Sequence, residues 1–139
     1  ETHGFRAFIP WSFQRGHTVL NLPPAGGMEY LRIIALARLV LDNIPNVQAG
    51  WVTEGPKLAQ LALSFGANDF GGILVDEVVV GATGMIYRVN KEEAVRLIRG
   101  AGRVPAQRNT KYEILHVYDG HSDGAGRDLP ADPVAASSL

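Results

Sequence analysis

The side chains best suited to chemistry stand just after apolar runs. Glu54 follows the run 47–53, and Asp76 and Glu77 follow the run 70–75. Gln14 closes the run 5–13, and Thr53 closes the second run. Carboxylates in such places orient hydroxyl groups or move protons, while a hydroxyl and an amide add hydrogen bonds to a polar ligand. If the runs are parallel strands, these residues stand at the strand ends that handle ligands in α/β proteins. The same acids serve equally as helix caps or solvated loop ends. Gln14, Thr53, Glu54, Asp76 and Glu77 are therefore the candidate substrate-binding residues, with no catalytic residue and no metal ligand assigned. Strand parity leaves the second run open. One register turns Gln48, Gly50 and Glu54 inward, and the other turns Trp51 and Thr53 inward.

Other chemistries find little support. There is no cysteine, which removes disulfides, thiolate zinc sites and cysteine-ligated iron–sulfur clusters from this chain. His3, His17, His116 and His121 show no paired ligand spacing. Gly66, Gly71 and Gly72 do not make a dinucleotide fingerprint, and no phosphate-loop motif exists. Ser12 and Ser64 lack a nucleophile-elbow context. The net charge of -1 gives no electrostatic case for nucleic acid or an anionic membrane as partner. The most apolar stretch, 33–41, is interrupted by Arg38 and falls short of the roughly 18 residues of a membrane span. Arg38, among apolar neighbours, is expected to snorkel or to pair with a carboxylate. The chain begins at Glu1 without a signal pattern, so we expect a fragment or processed product from the cytoplasm.

The elements that position these residues follow from periodicity. Residues 5–13 read as a strand, with Pro10 near its end where pairing runs out. After a loop marked by Pro23-Pro24 and Gly26-Gly27, residues 29–42 read as a helix that is apolar on most sides and hence largely buried. Asn43-Ile44-Pro45 ends it. Residues 47–53 read as a second strand. Pro56 opens a helix with Leu58, Leu61, Ala62 and Phe65 on its buried face, and Gly66 closes it. Residues 70–75 read as a third strand. This alternation predicts parallel βα units and an α/β fold. Residues 77–89 fit a hairpin or a short helix and loop. Asn90 caps a helix with Glu93 completing a reciprocal box, and Val95, Leu97 and Ile98 supply its buried face. Thr110 and Glu113 repeat that spacing ahead of a last short helix reaching about Tyr118. The domain thus covers 1–118, and 119–139 reads as a disordered polar tail.

Longer strings carry a resemblance. FRAFIPWSFQ, then IALARLVLDNIPNVQAGWVTEGPKLAQLALSFGANDFGG, then RLIRGAGRVPAQRNTKY are together similar to the cyclic dehypoxanthinyl futalosine synthase family of radical S-adenosylmethionine enzymes. The likeness runs from about Gly4 to about Tyr118. It implies the last three βα units of a (βα)8 TIM barrel with a helical C-terminal extension. It also implies a missing N-terminal barrel half whose CxxxCxxC loop holds a 4Fe-4S cluster and S-adenosylmethionine. In such enzymes a 5′-deoxyadenosyl radical takes a ribose hydrogen from dehypoxanthine futalosine, and the resulting carbon radical closes onto the benzoate ring. The segment would supply substrate-facing wall in menaquinone biosynthesis and would be inactive alone. An aminofutalosine synthase of the same pathway, or a non-catalytic half-barrel binding module, is the alternative.

Overall fold

The computed structural model describes residues 4–13, 25–73 and 87–119, and the backbone of 135–138. Three short strands carry the expected alternation. They are β1 (Ala7–Phe8), β2 (Asn46–Val47) and β3 (Asp69–Gly72). β1 and β2 pair in parallel, with Ala7 opposite Asn46 and Phe8 opposite Val47. A parallel bridge from Gln48 to Asp69 joins β2 to β3. The N–H of Ala49 donates to the carbonyl of Asp69 at 2.7 Å. Parallel neighbours in chain order are what βα units require.

Between β1 and β2 runs α1 (Gly27–Val40). Tyr30, Leu31, Ile34 and Ala37 turn inward, at helical spacing. The rest of its apolar surface does not. Ile33, Leu36, Leu39 and Val40 are exposed, the last two at 79% and 70%. A helix apolar on most sides is expected to be largely buried, but only one face meets β2 and the helix that begins at Pro56.

The second strand is shorter than periodicity suggests. After Gln48 the chain turns at Gly50 into α2 (Trp51–Glu54), a single helical turn. Trp51, Val52 and Thr53 have strong strand propensity, and tertiary packing overrides it. The Trp51 ring is buried, with its indole N–H donating to the Gly72 carbonyl at 3.2 Å. An extended backbone through residue 53 would carry that ring out of the core.

Gly55 has φ +86, and a Cβ there would come within 3.0 Å of the Tyr87 ring. A glycine is therefore required before Pro56 opens α3 (Pro56–Ser64). The buried face of α3 is Ala59, Ala62 and Leu63. The expected face shares only Ala62 with it. Leu58 is partly buried, while Leu61 and Phe65 are exposed. The alanines lie on the contact because small side chains let α3 approach its neighbours closely.

Arg38 finds carbonyls rather than a carboxylate. Its guanidinium donates to the Gly66 carbonyl at 2.8 Å, the Pro45 carbonyl at 3.2 Å and Asn68 Oδ1 at 2.6 Å. It thereby fastens the end of α1 to the turns that enter β2 and β3. Burial lowers its pKa.

Asn90 caps α4 (Lys91–Gly100), its Oδ1 accepting from the Glu93 N–H at 2.8 Å. The reciprocal half of the box is replaced by a Glu93–Arg96 pair at 3.5 Å. Ala94, Leu97 and Ile98 are buried, with Val95 only partly so.

The expected last helix is instead an antiparallel hairpin, β4 (Pro105–Arg108) with β5 (Ile114–Val117). Asn109 decides this. Its Oδ1 accepts from the N–H groups of Lys111 at 2.8 Å and Glu113 at 3.0 Å. Those bonds take Glu113's N–H away from a Thr110 cap. Tyr112 adopts φ +68, which a helix does not allow.

The tail also differs at its far end. Ala135–Ser138 forms β6, which lies parallel between β3 and β4. Backbone pairing needs no particular side chains, so polar composition does not prevent it.

The core gathers Ile34, Val47, Leu63, Phe70 and Ile98 between helices and sheet. Each fully buried side chain of this kind stabilises the fold by roughly 1.5–3 kcal/mol.

Candidate functional site at the strand ends

α2 places Thr53 and Glu54 just beyond the end of β2. Glu54 Oε1 accepts from the Ser12 backbone N–H at 3.1 Å and from Thr53 Oγ1 at 3.2 Å. Ser12 lies beyond β1, so one carboxylate joins the ends of two neighbouring strands. Its second oxygen makes no hydrogen bond to a described residue. The Thr53 hydroxyl also reaches the Gly50 carbonyl at 3.4 Å.

Tyr30 supports this rim from α1. Its hydroxyl accepts from the Gly50 N–H at 2.8 Å. Burial pushes its pKa up to about 12; the Gly50 hydrogen bond opposes this, and the nearby Glu54 carboxylate adds to it. Tyr30 is thus a neutral phenol at ordinary pH, a hydrogen-bonding group and not an anion.

A second polar cluster lies under β3. Asp69 is fully buried, and Arg108 from β4 grips it with Nη2 to Oδ2 at 2.6 Å and Nε to Oδ1 at 3.2 Å. Asp69 Oδ1 also accepts from the Gly71 N–H at 3.1 Å. The Tyr112 ring stacks on the guanidinium at 3.9 Å. Burial pushes the Asp69 carboxyl up, and Arg108 pulls it back down. Fork geometry of this kind favours rigidity and a fixed register. The pair holds the hairpin against the strand that ends at Gly71-Gly72.

Of the five residues expected at the rim, the structure brings Thr53 and Glu54 together. Gln14, Asp76 and Glu77 lie outside the described residues. Ser12, Tyr30 and the Asp69–Arg108 pair were not expected. Ser12 acts through its backbone, which no side-chain pattern reveals. Tyr30 looks like one more apolar position of a buried helix face. Asp69 and Arg108 are 39 residues apart in the chain, and only folding brings them together. Among the described residues no group of three histidine, aspartate or glutamate side chains could hold a metal ion. No helix among them is long and apolar enough to cross a membrane.

A cyclic dehypoxanthine futalosine synthase of Halalkalibacterium halodurans is 46% identical over 123 residues, covering 86% of this chain and 32% of that protein. One from Streptomyces coelicolor is 48% identical over 124 residues, covering 85% and 30% respectively. An aminodeoxyfutalosine synthase of Streptomyces coelicolor is 38% identical over 144 residues, covering 94% and 37%. The chain therefore spans about a third of the length of these curated relatives. The model of the CofH/MqnC C-terminal region matches residues 2–120, from before β1 to beyond the hairpin. The matched stretch contains Thr53, Glu54 and the Asp69–Arg108 pair, and it makes this chain a member of the CofH/MqnC C-terminal region family.

Proposed function

We propose that this chain is the substrate-facing segment of a radical S-adenosylmethionine enzyme that cyclises dehypoxanthine futalosine on the futalosine route to menaquinone. The observation that carries the reading is Glu54. It is tied to the ends of two parallel strands and keeps one carboxylate oxygen without a hydrogen bond to any described residue. The substrate class rests on the 46% and 48% identity to cyclic dehypoxanthine futalosine synthases.

In this reading β1, β2 and β3 with their helices are the last three βα units of a (βα)8 barrel. Their parallel pairing in chain order supports it. The rest of the barrel belongs to the longer protein and carries the cysteine loop that holds a 4Fe-4S cluster. Bound there, the cluster as electron donor and S-adenosylmethionine as radical source would supply hydrogen-abstracting radical chemistry. This chain has no cysteine, so its residues do not fit the cluster, and no step through it is assigned to them. Their work is placement and exclusion of water. The Glu54 carboxylate and the Thr53 hydroxyl hydrogen-bond polar groups of the nucleoside. Gln14, Asp76 and Glu77 are carried in the proposal as further substrate-binding residues on their place in the sequence alone, after the apolar runs. The chain alone is inactive, and the complete protein is a cytoplasmic enzyme acting on a small molecule.

The alternative is aminodeoxyfutalosine synthesis, favoured by 38% identity over 94% of the chain. The complete protein, reconstituted anaerobically with iron and sulfide, decides between them. With S-adenosylmethionine, a reductant and dehypoxanthine futalosine, it is expected to form the cyclic product. Formation of aminodeoxyfutalosine from that enzyme's substrates would move the assignment to the alternative. Formation of neither product would overturn both readings.

A further inference from the structure

Gln48 ends the strand run of β2. Its chain neighbours Val47 and Ala49 are both fully buried in the core. Alternation along a strand therefore turns Gln48 to the opposite face of the sheet. Its bridge partner Asp69 shares that face with Arg108.

The amide lies directly over Gly71. A Cβ on Gly71 would stand 3.1 Å from Gln48 Nε2 and 3.4 Å from its Cδ, and the backbone there has φ +83. Both the space and the conformation call for glycine. Gly71 is itself held, because its N–H donates to Asp69 and Arg108 clamps Asp69.

What distinguishes Gln48 is what it lacks. Partly buried amides are normally hydrogen-bonded. Among the described residues, the other partly buried amide side chains follow that rule. Asn46 donates to the Arg6 carbonyl, Gln60 to the Leu97 carbonyl and Asn68 to the Pro45 carbonyl. Gln107 accepts from the Tyr118 hydroxyl, and Asn109 accepts from Lys111 and Glu113. The Gln48 amide, half-buried, has no hydrogen-bond partner among the described residues. It lies over a backbone held by the Asp69–Arg108 pair, and in the chain it stands two residues before Gly50, which leads into α2 with Thr53 and Glu54.

We propose that the Gln48 amide is a ligand-contacting group of this site, donating to and accepting from a substrate hydroxyl. A carboxamide offers both functions, and a sugar hydroxyl answers both. This inference rests on the proposed function for the identity of the substrate, though the geometry of the amide does not depend on it.

The test uses the complete reconstituted protein with Gln48→Met, which keeps the side chain's bulk over Gly71, and with Gln48→Ala. Steady-state constants for dehypoxanthine futalosine are measured beside melting temperatures. Both variants are expected to raise KM about tenfold, the worth of roughly one or two hydrogen bonds. The melting temperature should stay within about 2 °C of the parent's, a stability change under ~1 kcal/mol. Unchanged KM in folded variants overturns the inference. So does a melting temperature that falls sharply in both, which makes Gln48 a structural group bonded within the chain. If the unsubstituted protein does not turn over dehypoxanthine futalosine, the functional reading has failed. The same variants are then compared in aminodeoxyfutalosine formation, where a raised KM supports the role of Gln48 and an unchanged one ends it.

Discussion

Arg108→Met should be the most damaging single change in the described part of the molecule. It removes two charged hydrogen bonds, at 2.6 and 3.2 Å, from a carboxylate that is 0% exposed. Breaking a buried pair by deleting one partner costs about 3–5 kcal/mol, because the other charge stays desolvated. At about 2–4 °C per kcal/mol, the melting temperature should fall by roughly 6–20 °C. The loss should depend on pH with a definite sign. Burial already pushes Asp69 up, and Arg108 opposes it. Without Arg108 the folded-state pKa rises further above the unfolded value of about 4. A raised carboxyl contributes stability below the unfolded pKa and loses it as pH rises through the folded pKa. The variant should therefore be closest to the parent near pH 4–5 and furthest from it at neutral pH. Asp69→Asn combined with Arg108→Met should recover much of the loss, since the amide oxygen still accepts from Gly71 and carries no charge. Thermal melts of the longer protein at pH 5 and pH 8 measure all of this. A variant that melts within about 1 °C of the parent at pH 8, or whose deficit grows on acidification, would refute the reasoning.

Glu54→Gln keeps an oxygen for the Ser12 N–H and Thr53 Oγ1, so the complete enzyme should fold normally. Its kcat/KM should drop about tenfold or more, ~1.4 kcal/mol in transition-state terms, as steady-state kinetics beside a melting curve would reveal. Tyr30, raised to about 12, stabilises the fold fully below pH 10. That contribution should be lost between pH 10 and 12, a loss of up to ~2.7 kcal/mol, and Tyr30→Phe should remove this part of the pH dependence in urea titrations. The isolated chain should self-associate through Ile33, Leu36, Leu39 and Val40, all exposed on α1. Size-exclusion chromatography should show it larger than a monomer, and Leu36→Glu with Val40→Lys should shift it toward one. A monodisperse parent monomer would contradict that expectation.

The alternation of elements was legible in the sequence because each signal is local. Pro56 opens α3, Asn90 caps α4, and the positive φ at Gly66 and Gly102 ends the helices before them. The family, too, was legible in long ordered strings such as NVQAGWVTEGPK. What failed was every reading in which a local preference met a distant partner. Residues 51–53 favour a strand, but the Trp51 ring is wanted in the core and the chain coils into α2. One miss was itself local: Thr110 and Glu113 have the spacing of a cap, but the adjacent Asn109 competes for the same N–H group and a hairpin forms. Glu54 stood out as a strand-end acid, while its hold on Ser12, 42 residues away, needed the folded chain. Gln48 could be placed on either face until Val47 and Ala49 were seen in the core. Backbone propensity and capping act within a few residues and leave their mark on the sequence. Facing, pairing and desolvation depend on which surfaces meet, and only the tertiary structure brings those surfaces together.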